Sequence, residues 1–433
     1  MKNGRKMNDT AQTIREEAPV AIIGYGTAGV NAAIALRTDG YDGPISVFSN
    51  IDTLPYSPIL TSYFVGNQKT YEECFPWSAE ELAALRLDVH DNCPVEELDV
   101  QGHIIRTPQG EFPYAKCVIA TGSTPLLNGY PLGDDYTPHL LRSMDDAKRL
   151  KAAIEEPGCT RMLVSGASMV ALKTLEACLN HEMQVTLVGM NPHVLDFNAL
   201  PMTAAPFEAG LRDLGVQLRL NQTIAAVKRV EDANDARGWH LHVTFSNGEE
   251  QDFDEISVSH GMKSNLDFVK PGSLEVDHAL IVDDFMRTSD PDVYAAGDVA
   301  QATEIVTGEK RVVGIWKNAA VQGACAGHAI AAELAGREPD AKHAFRGSLA
   351  SNTIAVNGTL FISAGATEVT ETREVLLRRK PHLTIASIIE RGEGGASYLV
   401  GFSLTCDEDE AGGEAYDTGA MMTLQIEAAC RKR

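Results

Sequence analysis

Apolar residues along this chain first gather in short unbroken runs. Val20-Ala21-Ile22-Ile23 and Ile45-Ser46-Val47-Phe48 read as strands buried on both faces. The alanine-rich stretch Ala28 to Arg37 between them predicts a helix, with Gly40 as its stop. Further on the pattern repeats: a strand at Met162–Ser165, a turn from Gly166, a helix at Ala171–Leu179 and a strand at Gln184–Val188. Duplication at this spacing points to two domains of one α/β type. Each half carries a predicted hairpin, turned at Pro108-Gln109-Gly110 in the first and at Ser246-Asn247-Gly248 in the second, where a helix ending near Gly215 precedes it. From about Ala341 the pattern changes to alternating strands at Thr353–Val356, Leu383–Ile389 and Tyr398–Ser403, and the chain ends in a helix.

Length and composition sharpen this picture only a little. The 433 residues exceed one compact domain and fit two or three. A net charge of −23 argues against nucleic acid or an anionic membrane as partner. No stretch is long and apolar enough to span a bilayer. Met1 to Glu17 is polar without an apolar signal core, which predicts a frayed, cytoplasmic start. The eight cysteines are scattered, forming neither a zinc ligand set nor a disulfide framework, and no metal site is expected.

The candidate chemistry begins at Gly24-Tyr25-Gly26-Thr27-Ala28-Gly29, directly after the first strand. This is the glycine spacing of a dinucleotide-binding turn: tight turn, phosphate approach, close helix packing. The backbone amides of Thr27 and Ala28 would point from the helix start at a diphosphate. Where an acid for the ribose hydroxyls is expected, the chain has Ser49 and Asn50, weaker partners than a carboxylate. Far downstream, Met286 to Asp298 runs through Val293-Tyr294-Ala295-Ala296 to Gly297-Asp298.

Together these segments, with Ala120-Thr121-Gly122, resemble the two-dinucleotide-fold flavoproteins, the FAD-dependent pyridine nucleotide-disulfide oxidoreductases and their ferredoxin-reductase relatives. The resemblance covers Pro19 to about Gly365. It implies an α/β fold with two Rossmann-like domains: a discontinuous FAD domain (18–140 and 262–335), an inserted NAD(P)-binding-like domain (141–261), and a C-terminal α+β interface domain (341–433) after a disordered 1–17. It also implies that the first turn holds the FAD pyrophosphate with reduced affinity and that Asp298 lies on the flavin side of that cofactor. Leu54 to Phe64, with Pro58, resembles the segment that crosses the isoalloxazine ring. Leu141 to Ala147, with Arg142, resembles the crossover into the second domain. Val313 to Gly323 resembles the helix whose N-terminus faces the flavin pyrimidine, with Trp316 at the flavin edge or in the core.

The second turn departs from the family pattern. It reads Gly166-Ala167-Ser168-Met169-Val170-Ala171, with Ser168 and Ala171 in place of the second and third glycines and Lys173 for a glutamate. Gly189 stands where NADH-selective members place an acid, so either NADH or NADPH is admitted. Gly166, Ser168, Met169, Val170 and Gly261 are the candidate contacts, or else the domain is a retained scaffold. His260, next to Gly261, reads as a satisfied polar neighbour.

The redox cysteine of the thiol-dependent relatives would fall on Asp52 or Ile59, and disulfide reduction needs a thiolate beside the flavin. The leading expectation is therefore an FAD-dependent oxidoreductase that uses no protein acid or nucleophile. Hydride would pass from NADH or NADPH to flavin, and electrons onward to an electron-transfer protein, oxygen or an organic molecule. The alternatives are an FAD-bearing subunit, or a thiol-dependent oxidase or CoA-disulfide reductase working through Cys74. The resemblance also implies a homodimer through 341–433.

Overall fold

Val20–Ile23 pairs in parallel with Ile45–Phe48 on one side and Lys116–Ile119 on the other. Leu87–His90 and Val293–Ala295 extend this parallel sheet to five strands, in the order 293–295, 116–119, 20–23, 45–48, 87–90. All four residues of the first strand are buried, which is why it reads as a continuous apolar run. The chain leaves this strand to one side through the helix Thr27–Thr38 and later returns to its other side. A crevice thus opens at the carboxyl ends of 20–23 and 116–119, the switch point where open α/β sheets bind ligands.

The computed structural model describes residues 18–127, 136–392 and 395–431. The expected frayed start, residues 1–17, lies outside them. Two compact units emerge. Among the described residues, the first comprises 18–57, Phe75–Thr124 and Lys263–Ser348; the second comprises Pro58–Cys74, 125–127, 136–262, 349–392 and 395–431. In the first, the predicted hairpin forms between Ile104–Thr107 and Gly110–Pro113, with Glu97–Asp99 as a third strand.

The second unit repeats the parallel motif with four strands, ordered 217–220, 184–189, 161–165, 255–258. The helix Met169–Asn180 connects the first two strands in sequence. The hairpin predicted at Ser246-Asn247-Gly248 joins Trp239–Phe245 to Glu250–Phe253.

The C-terminal segment is a five-stranded antiparallel sheet, with Arg373–Lys380 at one edge and Ser351–Val356 at the other. Its strands are longer than the alternation suggested, at Leu383–Arg391 and Ser397–Asp407. Strand periodicity sorts its side chains onto two faces. Phe361, Ser403 and Thr405 meet the helix Pro201–Asp213: Phe361 stacks edge-on with Phe207 at 6.2 Å, and Ser403 and Thr405 hydrogen-bond Thr203 at 2.7 Å. On the other face Ile362 lies against Gly419 of the terminal helix Glu408–Cys430. The acidic run Asp407 to Glu410 has a local reason. Asp407 caps this helix, accepting from the backbone of Asp409 and Glu410, and the following acids occupy a first turn where the dipole favours them.

Candidate functional site

In the first unit the first turn is held open by what cannot fit inside it. Gly24 has φ +109°, and a Cβ there would lie 2.3 Å from the carbonyl oxygen of Ala120. Strand ends 23 and 119 therefore approach backbone to backbone, with the Ala120 amide donating to Ile23 O at 2.7 Å. A Cβ on Gly29 would come within 2.2 Å of Gly24 O, so this glycine seats the helix on its strand. Gly26 differs: a Cβ there would meet nothing within 4 Å.

Gly26 caps the 27–38 helix without any side-chain hydrogen bond. The amides of Thr27 and Ala28 thus stand at an uncapped helix start, a ready anion site. The Thr27 hydroxyl is buried and has no hydrogen-bond partner among the described residues. A phosphate oxygen in the open space at Gly26 would satisfy this group, so the residues fit a dinucleotide. Behind the turn, Ser49 is buried and its hydroxyl bonds Ile51 O at 2.9 Å, while Asn50 is exposed.

Gly297 and Asp298 come to the same helix start. A Cβ on Gly297 would touch those of Ala28 and Ala319 at 3.4 Å each, and the Gly297 amide donates to the buried Gln322 Oε1 at 2.8 Å. The Asp298 carboxylate accepts from the Ser123 hydroxyl, and Ser264 Oγ donates to the Asp298 carbonyl at 2.6 Å. The helix Trp316–Leu334 also begins here with no capping side chain; a Cβ on Gly314, just ahead of it, would sit 3.4 Å from Asp298 Oδ1. Two uncapped helix starts and one carboxylate therefore share one end of the first unit.

Thr121 and Gly122 are fixed by a residue the motif reading missed. Asn265 takes the Thr121 hydroxyl on its carbonyl at 2.7 Å, returns Nδ2 to Thr121 O at 3.0 Å, and donates its amide to Gly122 O at 3.0 Å. Trp316 stacks on Trp77 with centroids 6.2 Å apart, and its Nε1 is buried without a partner among the described residues.

The other candidates belong to the second unit. Pro58 opens the segment leading into the helix Leu60–Val65, its carbonyl accepting from Thr61 Oγ1 at 2.7 Å. Arg142 directly precedes Ser143, which caps Met144–Ile154 in a reciprocal box with Asp146.

At the second turn Gly166 has φ +117°, and a Cβ would lie 2.4 Å from Ser259 O, repeating the backbone approach seen at Gly24. Ser168 accepts from the Ala171 amide at 3.4 Å and so caps its own helix. Met169 and Val170 form the first helical residues, and Val170 is exposed. Gly261, φ +100°, faces open space. His260 Nε2 lies 2.9 Å from Ser165 Oγ, which makes it the satisfied neighbour expected. Lys173 pairs with Glu176 and sits 4.1 Å from the Tyr63 ring centroid.

Residues 18–323 match the family described as pyridine nucleotide-disulphide oxidoreductase. The chain is 29% identical over 364 residues to the NADH-dependent phenylglyoxylate dehydrogenase subunit epsilon of Aromatoleum evansii, covering 84% of this chain and 83% of that one. It is 30% identical over 293 residues to the rubredoxin-NAD(+) reductase of Pseudomonas putida, covering 67% and 74%. In fold it is similar to an NAD-dependent persulfide reductase from A. fulgidus, with TM-score 0.82 and 23% identity, covering 95% and 77%.

Proposed function

The chain belongs to the pyridine nucleotide-disulphide oxidoreductase family, and we propose that it reduces a small electron-transfer protein with electrons drawn from NADH or NADPH. It is an FAD-dependent oxidoreductase that passes electrons between NAD(P)H and an acceptor. FAD held by these residues would supply the two-electron redox chemistry. The protein's own residues bind and orient. The amides of Thr27 and Ala28 and the Thr27 hydroxyl hold the diphosphate, while the open space at Gly26 admits it. Ala120, Thr121 and Gly122 form the wall that Asn265 fixes. Asp298, steadied by Ser123, accepts from cofactor hydroxyls, and the start of the 316–334 helix favours negative charge on the ring. Asn50, Ser49 and Trp316 complete the proposed FAD contacts of the first unit.

One observation carries this reading: a buried Thr27 hydroxyl with no partner among the described residues, at an uncapped helix start with Gly297 packed against it and Asp298 next in the chain. A protein acceptor is preferred because a relative named for rubredoxin reduction is 30% identical over 293 residues. The test is anaerobic titration of the flavin-loaded protein with each nicotinamide, then a turnover screen of rubredoxin, ferredoxin and oxygen. Bleaching by a nicotinamide with turnover fastest on an iron–sulfur protein is expected. Flavin that neither nicotinamide reduces would end the proposal.

A second reading has its own support. Ser168 caps its helix, Lys173 is held by Glu176, Gly189 offers no acid, and one relative is named as a subunit. The chain would then be the FAD-bearing part of a larger assembly, with Gly166, Ser168, Met169, Val170 and Gly261 as scaffold. Micromolar nicotinamide binding by titration calorimetry would exclude it. The domain division proposed is an FAD domain at 18–140 and 262–335, an NAD(P) domain at 141–261 and an interface domain at 341–433. The protein is proposed to work as a cytoplasmic homodimer, and among the described residues no helix is long and apolar enough to cross a membrane.

A further inference from the structure

The two glycine turns share one backbone plan and differ in the side chains set around it. Strand 116–119 pairs with 20–23 so that Ile119 stands opposite Ile23, and strand 255–258 pairs with 161–165 so that Val258 stands opposite Ser165. One residue further on, the Ala120 amide donates to Ile23 O at 2.7 Å and the Ser259 amide to Ser165 O at 2.8 Å. Each wall then turns at a glycine of positive φ, Gly122 at +68° and Gly261 at +100°. Position by position, Ile23, Ala120 and Thr121 of the first unit are therefore replaced by Ser165, Ser259 and His260 in the second. An apolar strand end gives way to polar side chains.

These side chains form a set of donors. Ser165 is buried, where a hydroxyl without a partner is costly, and its Oγ lies 2.9 Å from His260 Nε2. A Ser165 hydroxyl that donates to Nε2 leaves the ring proton on Nδ1, which makes the exposed imidazole a hydrogen-bond donor. The Ser259 hydroxyl is buried with no partner among the described residues, and a Cβ on Gly166 would lie 3.4 Å from the Cβ of Ser259. That hydroxyl thus sits against the turn itself. The helix start, by contrast, offers less than its counterpart. Gly26 leaves the 27–38 helix uncapped, whereas the Ser168 hydroxyl accepts from the Ala171 amide and so occupies one of the donors an anion would use. We propose that Ser259 and His260 bind the diphosphate of the nicotinamide dinucleotide in the second unit, a task the first unit leaves to its helix start. The inference rests on the reading of this unit as the nicotinamide site. Hydrogen bonds to a phosphate anion are charge-assisted, so a hydroxyl and an imidazole N–H suit its oxygens. Gly261, where a Cβ would meet nothing within 4 Å, leaves open space next to His260.

The test uses the flavin-loaded full chain with its flavin oxidised, titrated by calorimetry with NAD+, NADP+ and ADP-ribose. All three ligands carry the diphosphate, and none of them reduces the flavin. His260→Leu restores an apolar wall and should weaken every ligand by at least about tenfold, the loss of one charge-assisted hydrogen bond. His260→Asn sets an amide donor near the place of Nδ1 and should recover most of that affinity. Ser259→Ala should weaken all three by about fivefold. If His260→Leu strands the Ser165 hydroxyl and fails to fold, the double variant Ser165→Ala with His260→Leu removes the orphaned group and carries the same expectation. Unchanged affinity in the apolar variant would overturn the proposal. A loss that spares ADP-ribose would overturn it too, because His260 would then serve the nicotinamide end or a 2′-phosphate. A wild type that binds none of the three would remove the nicotinamide site itself, and this inference with it.

Discussion

The Ser123 hydroxyl donates a hydrogen bond to Asp298 Oδ2 at 2.7 Å, joining residues 175 positions apart in the chain. The bond orients a carboxylate beside the two uncapped helix starts. In Ser123→Ala the acceptor loses its donor at a cost of about 1 kcal/mol, which is roughly fivefold in FAD retention. Asp298→Ala should be more severe: a folded apoprotein that loses its flavin on gel filtration. The flavin-to-protein absorbance ratio after the column reads both variants. Full occupancy in Asp298→Ala would remove this carboxylate from the cofactor site.

Gly24 and Gly26 are two residues apart, yet their alanine variants should fail in different ways. Gly24→Ala drives a Cβ against Ala120 O at a positive φ, so the fold itself should suffer, by roughly 1–3 kcal/mol or more. Gly26→Ala meets nothing in the protein, so the apoprotein's melt should shift by less than about 0.5 kcal/mol. Its methyl group would instead stand where the diphosphate must pass. Thermal melts of both apoproteins, with FAD titration by fluorescence quenching, separate the two effects. Wild-type FAD affinity in Gly26→Ala would mean that no phosphate approaches there.

Cys74 is wholly buried, its thiol directed at the carbonyls of Thr70 and Leu60. Burial first, then Glu73 and Glu72, push its pKa above the usual thiol value. A thiolate is thus disfavoured at the position a thiol-dependent mechanism would require. Cys74→Ser should keep nicotinamide-driven turnover within about twofold, since the substitution sits outside the proposed machinery. Abolished turnover in a folded, flavin-loaded variant would revive the thiol mechanism.

The C-terminal sheet is covered on both faces by helices of its own unit, which answers most of the need for a second subunit's cover. Apolar side chains that remain exposed include Leu376 and Leu377 on the edge strand and Tyr416, Met421 and Leu424 on the terminal helix. In the basic run Arg378-Arg379-Lys380 of the edge strand, Lys380 pairs with Glu414 within the chain. If these residues pair two copies about a two-fold axis, light scattering at micromolar protein should give twice the chain mass. Leu376→Glu with Leu424→Glu should then shift the mass to one chain. A monomeric wild type with full activity would rule the dimer out.

The strands 20–23 and 45–48 were legible to the residue, because a strand buried on both faces must be apolar throughout. Both glycine turns were legible too, since backbone-to-backbone approach admits no side chain. Two strands of the C-terminal sheet, Thr359–Gly365 and Arg373–Lys380, escaped notice. The second is an edge strand whose polar, exposed sequence carries little period. Asn265 and Ser123 escaped for another reason. Their importance lies in hydrogen bonds to residues 144 and 175 positions away, which no local pattern encodes. Ser168 was recognisable as a substitution; that its hydroxyl caps its own helix needed coordinates.

Glu255 is an acid of the second unit with three side-chain partners. It is buried, and it receives hydrogen bonds from Tyr136 at 2.7 Å and Arg237 at 2.6 Å, with His139 Nε2 3.0 Å away. Burial raises its pKa, yet the bonds from His139, Tyr136 and Arg237 outweigh burial and hold it below the ordinary 4.5. A depressed folded pKa means stability that is present above the ordinary value and lost as pH falls through the folded one. Glu255→Gln turns an amide donor toward groups that themselves donate, and it strips a carboxylate from an Arg237 side chain only 2% exposed. Arg237 keeps Glu156 at 2.7 Å and the Asp254 carbonyl at 2.7 Å, so the expected loss at neutral pH is about 3 kcal/mol, the lower end for a broken buried pair. Urea melts from neutral pH down to about pH 4 should show the wild type losing stability in acid and the variant losing less. Parallel slopes for the two proteins would mean that Glu255 is not the group whose protonation loosens this unit.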